Sequence, residues 1–148
     1  MTTEPTGVGT VAEDAAPSPA TLRVGVVGVG ARSTILAHAE LPHNDAQVVA
    51  ACDPRPETEA RLRGWTRIDP AGVVITDNLD AFIAVGFDAA VVTSPDDTHA
   101  KITCRLLDAG IPVDLEKPIA IELDGATRIV QTASDDVPLL YAGPNMRD

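Results

Sequence analysis

The feature that most restricts the fold is Leu22 to Gly28, a run apolar at nearly every position, with three valines, that ends in a glycine turn. A strand with one wet face alternates apolar and polar residues. A strand apolar at successive positions is buried on both faces, which is the habit of parallel sheets covered by helices on each side. The rest of the chain keeps this texture. Helical spacing at Ile35, Leu36 and Ala39 predicts a helix over Ala31 to Leu41, stopped by Pro42, which has no N–H to continue it. Ala46 to Cys52 reads as a second strand, Glu57 to Trp65 as a short charged helix, and Val73 to Ile75 as a weak third strand before a capped turn at Thr76 to Asn78. Leu79 to Val85 reads as a helix and Asp88 to Thr93 as a strand. Pro95 to Ala109 reads as a helix with Pro in its first turn and Gly110 at its end. A strand over Ile111 to Leu115, a helix over Ile121 to Ser134 and a strand over Val137 to Tyr141 complete the series. Six strands alternating with five helices imply an α/β fold: a doubly wound parallel Rossmann-type sheet in three αβα layers.

Composition narrows the class further. The 148 residues suit one domain, and residues 1–21, rich in Pro, Gly, Thr and Ala, with three acids and no apolar core of a secretion signal, read as a disordered tail before a domain over 22–148. Eleven Lys and Arg against twenty-two Asp and Glu give a formal charge of -11. That is the wrong sign for nucleic acid or an anionic membrane surface. No apolar run approaches the roughly 18 residues of a membrane-spanning helix. Two distant cysteines, Cys52 and Cys104, form neither a disulfide framework nor a zinc motif, and a reducing cytoplasm is the expected location.

The first strand leads into Gly28-Val29-Gly30-Ala31-Arg32-Ser33, a G-x-G-x-x-S turn between strand and helix. Gly28 allows the tight turn, and Gly30 lets backbone approach a pyrophosphate drawn to the helix N-terminus. Ser33 replaces the third glycine and is small enough to keep the packing close. A second match, Gly7 to Ala12, follows no strand and is assigned no function. Asp53 closes the second strand, 25 residues after Gly28, where an acid accepts hydrogen bonds from an adenosine ribose. An acid there favours NAD over NADP. Arg55 keeps NADP open, since its guanidinium either pairs with a 2′-phosphate or is simply solvated, and Arg32 has the same two readings or contacts the pyrophosphate.

Three further stretches, Thr93-Ser94-Pro95-Asp96-Asp97-Thr98-His99, Ala109 to Pro118 with Glu116-Lys117-Pro118 at its end, and Gly143 to Arg147, occur in order after this turn. Together they closely resemble the Gfo/Idh/MocA oxidoreductases over about Leu22 to Arg147. The resemblance implies a nicotinamide cofactor, NAD or NADP, and a small-molecule substrate that is a sugar, polyol or related hydroxy compound. It places Gly28, Gly30, Ala31 and Arg32 around the pyrophosphate and Asp53 on the ribose. Thr93, Ser94 and Pro95 line the nicotinamide half with His99 nearby. Glu116 and Lys117 face the nicotinamide and substrate, and Asn145, with Arg147, leads toward a second domain.

The chemistry suits those residues. Hydride transfer from an alcohol requires removal of the hydroxyl proton, and the reverse requires a donor. Lys117 is the candidate for both, and Pro118 restricts it to extended geometry. Glu116 works against a lowered lysine pKa if the two pair. His99 is read equally as a cofactor contact or as a packing residue at a helix start. His38 and His43 read as a helix-face and a loop residue, and with no third ligand near them no metal site is expected. The family's substrate domain, with other catalytic groups and much of any homo-oligomer interface, is expected beyond Asp148. The chain is therefore read as a fragment with weak or absent turnover, or alternatively as a binding-only dinucleotide module such as a redox sensor or non-catalytic subunit.

Overall fold

A computed structural model describes residues 21–33, 46–64, 70–133 and 140–142. Its strands are β1 (Leu22–Val27), β2 (Ala46–Cys52), β3 (Val74–Thr76), β4 (Ala89–Val92), β5 (Val113–Leu115) and β6 (Leu140–Ala142), and its helices α1 (Thr58–Arg63), α2 (Leu79–Ala84), α3 (His99–Asp108) and α4 (Leu123–Thr132). The strands form one sheet in the order β3-β2-β1-β4-β5-β6, every adjacent pair parallel. The sequence builds outward from β1 to β3, then crosses back to β4 on the other side of β1. That reversal opens a crevice beyond the carboxyl ends of β1 and β4, where doubly wound sheets bind ligands.

The apolar run of β1 behaves as its composition demands. Val24 and Val26 pack on one face with Val48, Ala51 and Leu62 of α1. Val27 faces the other way, into a larger cluster of Ala50, Val92, Val113 and Leu115 with Phe82 of α2, Leu106 and Leu107 of α3 and Ile129 of α4. The sheet is thus covered on both faces, giving three layers. The helix expected over Ala31 to Leu41 lies outside the described residues from position 34 onward.

Local chemistry sets the element ends. Asn78 caps α2, its side-chain oxygen accepting the Ala81 N–H at 2.9 Å. Past α3, Gly110 has φ +75° and its N–H donates to the Leu107 carbonyl at 2.9 Å, while the Ile111 N–H reaches Leu106 at 3.1 Å. This paired closure stops the helix and turns the chain into β5. Several element ends shift: β5 begins at Val113, α4 spans Leu123–Thr132, and β6 is described over Leu140–Ala142, with residues 134–139 outside the described residues. β3 pairs one residue later than anticipated, Ala50 with Val74 through Cys52 with Thr76. The helix anticipated from Pro95 begins at His99 instead, because Pro95 is extended at φ -56° and ψ 143° and Asp96–Thr98 form a tighter 3-10 turn. No described helix is long and apolar enough to cross a membrane.

Gly25 shows how tightly β1 is seated. A Cβ there would lie 2.6 Å from the Phe82 ring and 2.9 Å from Phe87, two rings whose centroids are 4.6 Å apart. Gly25→Ala is expected to destabilise the fold by ~1–3 kcal/mol through overpacking. Gly72→Ala, where no atom lies within 4 Å of the added Cβ, is expected to stay within about 0.5 kcal/mol of the parent. Urea unfolding of the two variants checks the contrast.

Candidate functional site

Four loops meet at the carboxyl edge of the sheet: 28–33, 53–57, 93–98 and 116–118. The first and third are pressed together. The Gly28 N–H donates to Cys52 O at 2.9 Å, the Thr93 N–H to Val27 O at 2.8 Å and the Thr93 hydroxyl to Gly28 O at 2.6 Å. Gly28 has φ +88°, and a Cβ on it would sit 2.5 Å from the Ser94 backbone. Both the dihedral and the contact demand glycine. Gly30 differs. The one atom within 4 Å of its missing Cβ is Arg55 Nη2, at 3.9 Å, so the turn is open on that side. Ser33 is fully buried and its hydroxyl donates to the Gly30 carbonyl at 2.6 Å. The third-glycine position thus admits serine because the hydroxyl is satisfied within the turn itself.

Asp53, expected on a ribose, is 5% exposed and its carboxylate is engaged by protein groups. It accepts the Val29 N–H at 2.7 Å, the Arg55 N–H at 2.9 Å and Arg55 Nε at 2.8 Å, and Arg55 Nη2 also pairs with it. Arg55 Nη2 reaches the Val29 carbonyl too, at 2.8 Å. Burial pushes the Asp53 carboxyl upward, but the hydrogen bonds from the Arg55 side chain and from the Arg55 and Val29 N–H groups outweigh it and hold the pKa near about 2. In this arrangement Arg55 stands on the acid that a ribose would otherwise contact. Neighbouring Cys52 is pushed up to about 11, first by burial and then by the charges of Asp53 and Asp77, and so is a thiol at neutral pH.

Beside these loops lies a cleft of about 630 Å³, within the range of small-molecule and cofactor sites. Val27, Gly28, Gly30, Asp53, Arg55, Thr93, Ser94 and Pro95 line it, which brings together most of the expected cofactor residues. Asp77, Leu79, Thr98, Lys101 and Ile102 line it as well, and sequence reasoning missed all five. Asp77 and Leu79 come from the turn after β3 and the start of α2, Thr98, Lys101 and Ile102 from the turn before α3 and its first turns, and apart from Thr98 none lies in a stretch the sequence marks out. Thr98 braces the wall, its hydroxyl 2.7 Å from both Ser94 Oγ and Pro95 O.

Glu116 and Lys117 stand at the next loop and are not among the cleft-lining residues. The Glu116 N–H continues the sheet ladder to Val92 O at 2.9 Å, and its carboxylate pairs with Arg32 Nη1 at 3.1 Å. The acid therefore bridges to the glycine turn and not to its neighbour Lys117, which is half-buried. His99 is fully buried, with Nδ1 2.7 Å from Pro118 O and Nε2 2.9 Å from Ser94 O. Both ring nitrogens face protein carbonyls, so of its two readings the geometry corrects the cofactor contact in favour of packing. Asn145 and Arg147 lie outside the described residues, as do His38 and His43.

A family model described as an oxidoreductase family, NAD-binding Rossmann fold, matches residues 22–142. Inositol 2-dehydrogenase of Rhizobium meliloti is 31% identical over 127 residues, covering 86% of this chain and 37% of that protein. Inositol 2-dehydrogenase of Acidiphilium cryptum is 33% identical over 112 residues, 75% of this chain and 33% of that protein. Among solved structures, the WlbA dehydrogenase from Bordetella pertussis, in complex with NADH and UDP-GlcNAcA, superposes with a TM-score of 0.68 at 28% identity, covering 78% of this chain and 35% of that one. Scyllo-inositol dehydrogenase from Lactobacillus casei, with NAD(H) and scyllo-inositol bound, shares the fold with a TM-score of 0.70 at 24% identity, over 83% of this chain and 36% of that one. The chain spans about a third of the length of these curated relatives.

The Asp53 pairing has a pH signature. Its carboxyl is held down to about 2 in the fold against an ordinary value of 3.8, so the folded state binds fewer protons across that window. The stability it contributes is complete above the unfolded pKa and is lost as pH falls toward the folded one, on the order of 2 kcal/mol in all. Between about pH 6 and pH 3 the parent should lose ~1 kcal/mol more unfolding free energy than Asp53→Asn. Urea titrations of both proteins at the two pH values check it.

Proposed function

The chain belongs to the Gfo/Idh/MocA oxidoreductase family through its NAD-binding Rossmann domain, and on that premise we propose that it is the cofactor-binding part of an enzyme acting on a secondary alcohol of a cyclic polyol or sugar derivative. The observation that carries this reading is the cleft at the β1–β4 switch point, bounded by Gly30 on a side where a Cβ would have the Arg55 guanidinium, at 3.9 Å, as its one neighbour within 4 Å. An empty position at that glycine suits the close approach of a diphosphate to backbone. The substrate class follows the relatives, which are dehydrogenases of inositols.

The residues present fit a dinucleotide in this cleft. Gly28 fixes the turn by its own backbone conformation and contacts, whereas Gly30 lines the cleft and, with Ala31 and Arg32 directly after it, is the part of the turn assigned to a pyrophosphate. Arg32 is largely exposed and brings a positive charge to the turn. Thr93, Ser94 and Pro95 form the wall toward the nicotinamide half, and Leu79 and Ile102 give the cleft apolar surface suited to a flat base. When bound, the nicotinamide supplies a hydride acceptor in the oxidising direction and a donor in the other. Lys117 takes the hydroxyl proton as the alcohol is oxidised and returns it to the carbonyl oxygen in reverse. Because Glu116 pairs with Arg32, its charge is drawn toward the glycine turn and away from that lysine.

NAD is the cofactor assigned here, with NADP set by the Asp53–Arg55 pair. Arg55 neutralises the acid that would repel a 2′-phosphate and occupies the oxygens a ribose would use. Removing it exposes the carboxylate to the cleft. In Arg55→Ala the ratio of NADH to NADPH affinity is expected to rise about tenfold over the parent, equivalent to ~1.4 kcal/mol. Parallel fluorescence titrations of the two nucleotides measure it.

The reading itself is tested at Gly30. Gly30→Val adds its side chain on the cleft side, where the nearest atom to the Cβ is the exposed end of Arg55 at 3.9 Å, so thermal melting should stay close to the parent while NADH affinity falls more than about tenfold. A folded Gly30→Val chain that binds NADH as well as the parent would show that the diphosphate does not cross this turn.

A further inference from the structure

We infer that His99 is a positioning residue: it straps the turn after β4 to the turn after β5 and so fixes where Lys117 stands, without touching the cofactor. The inference rests on Lys117 having the proton-transfer role given above. His99 is the first residue of α3 and is fully buried. One ring nitrogen lies 2.9 Å from the carbonyl of Ser94 and the other 2.7 Å from the carbonyl of Pro118. Those carbonyls belong to different crossover loops, and the second lies one residue beyond Lys117.

The two ends of the Lys117 segment are thereby held by different means. Glu116 is anchored by its ladder bond to Val92 at 2.9 Å, and Pro118 by the imidazole. Between them, Lys117 has no ion pair among the described residues. Its placement accordingly depends on how firmly its neighbours are held. The strap also reaches the glycine turn, because the Ser94 backbone is the surface against which Gly28 is pressed. Three loops of the site are registered through one backbone contact and one side chain.

Imidazole suits this task in a way its usual substitutes do not. Its rigid ring presents a nitrogen on each side, and with a proton on each it donates to both carbonyls at once. Glutamine has donors at one end alone and would turn its oxygen toward the second carbonyl. Phenylalanine fills the volume and donates to neither. A residue that merely filled space would be replaced by phenylalanine with little local effect. A strap would not.

The test uses the whole chain, with His99→Gln and His99→Phe compared with the parent by hydrogen exchange and NADH fluorescence. Exchange over residues 116–119 is expected to rise about tenfold or more in His99→Phe and less in His99→Gln, with NADH affinity within about threefold of the parent in both. Unchanged exchange at 116–119 in a folded His99→Phe chain overturns the proposal, and so does a rise spread evenly along α3, which is the mark of general loosening. In the parent itself, nitrogen–carbonyl couplings from the His99 ring to both Ser94 and Pro118 are expected across the hydrogen bonds. Their absence overturns the strap even where both variants fail to fold. Failure of the parent to bind NADH would instead strike the functional reading, leaving the coupling measurement to judge the strap.

Discussion

The structure turns on the place where the backbone of Gly28 meets that of Ser94. Side chains elsewhere fill space that the sheet leaves between its layers, but here two main chains touch with nothing between them. The contact follows from topology. β1 lies between β2 and β4, so the turns leaving β1 and β4 start side by side at the carboxyl edge. They can leave together only if one of them carries no Cβ at the point of closest approach and accepts a positive φ. The hydrogen bonds on either side of that point, from Gly28 N–H to Cys52 and from Thr93 to Val27 and Gly28, complete the junction.

Electrostatics at this junction oppose those of the chain as a whole. With a net charge of -11, the protein repels polyanions on average. At the cleft the balance is local: Asp53 is neutralised by Arg55, Glu116 is paired with Arg32, and the lining holds both Lys101 and Asp77. A diphosphate approaching the glycine turn meets guanidinium groups already held in place by carboxylates. Such pairing limits the side-chain entropy that would otherwise be lost on binding. The acids near the site thus orient its bases as well as lowering its positive charge.

The fold was legible in the sequence wherever burial dictated composition. β2 falls on Ala46–Cys52 as read, because a strand inside the sheet is apolar on both faces and ends where Asp53-Pro54 begins. β3 was displaced by a residue because it is a short edge strand, with Val74 half exposed, and its alternation carries little information. The start of α3 was misplaced because proline in a first turn is compatible with either an α-helix or a tighter turn, and the choice depends on Thr98 bonding back to Pro95 and Ser94. Of the candidate site, the glycine turn was readable since its requirement is conformational and local. The cleft walls at Asp77, Leu79, Lys101 and Ile102 were not, since their adjacency arises when β3 and α3 are brought beside the turn. Asp53 and Arg55 are both legible as polar groups at the end of β2, but their pairing with one another is not, because it depends on how the chain turns at Pro54.

The Asp53–Arg55 pairing points to a division within the site. The residues most conspicuous as motif letters, Gly28, Asp53 and His99, spend their chemistry on the protein: a backbone contact, a carboxylate satisfied by neighbouring N–H groups, an imidazole between two carbonyls. The groups left facing the cleft are plainer, among them Gly30, Leu79, Lys101 and Ile102. Such an arrangement is what a preorganised site requires. A loop that must hold a ligand within a fraction of an ångström has to be fixed by interactions that the ligand does not itself supply. A motif in this fold is therefore a record of how the loops are built, and the ligand reads the surface that construction leaves open.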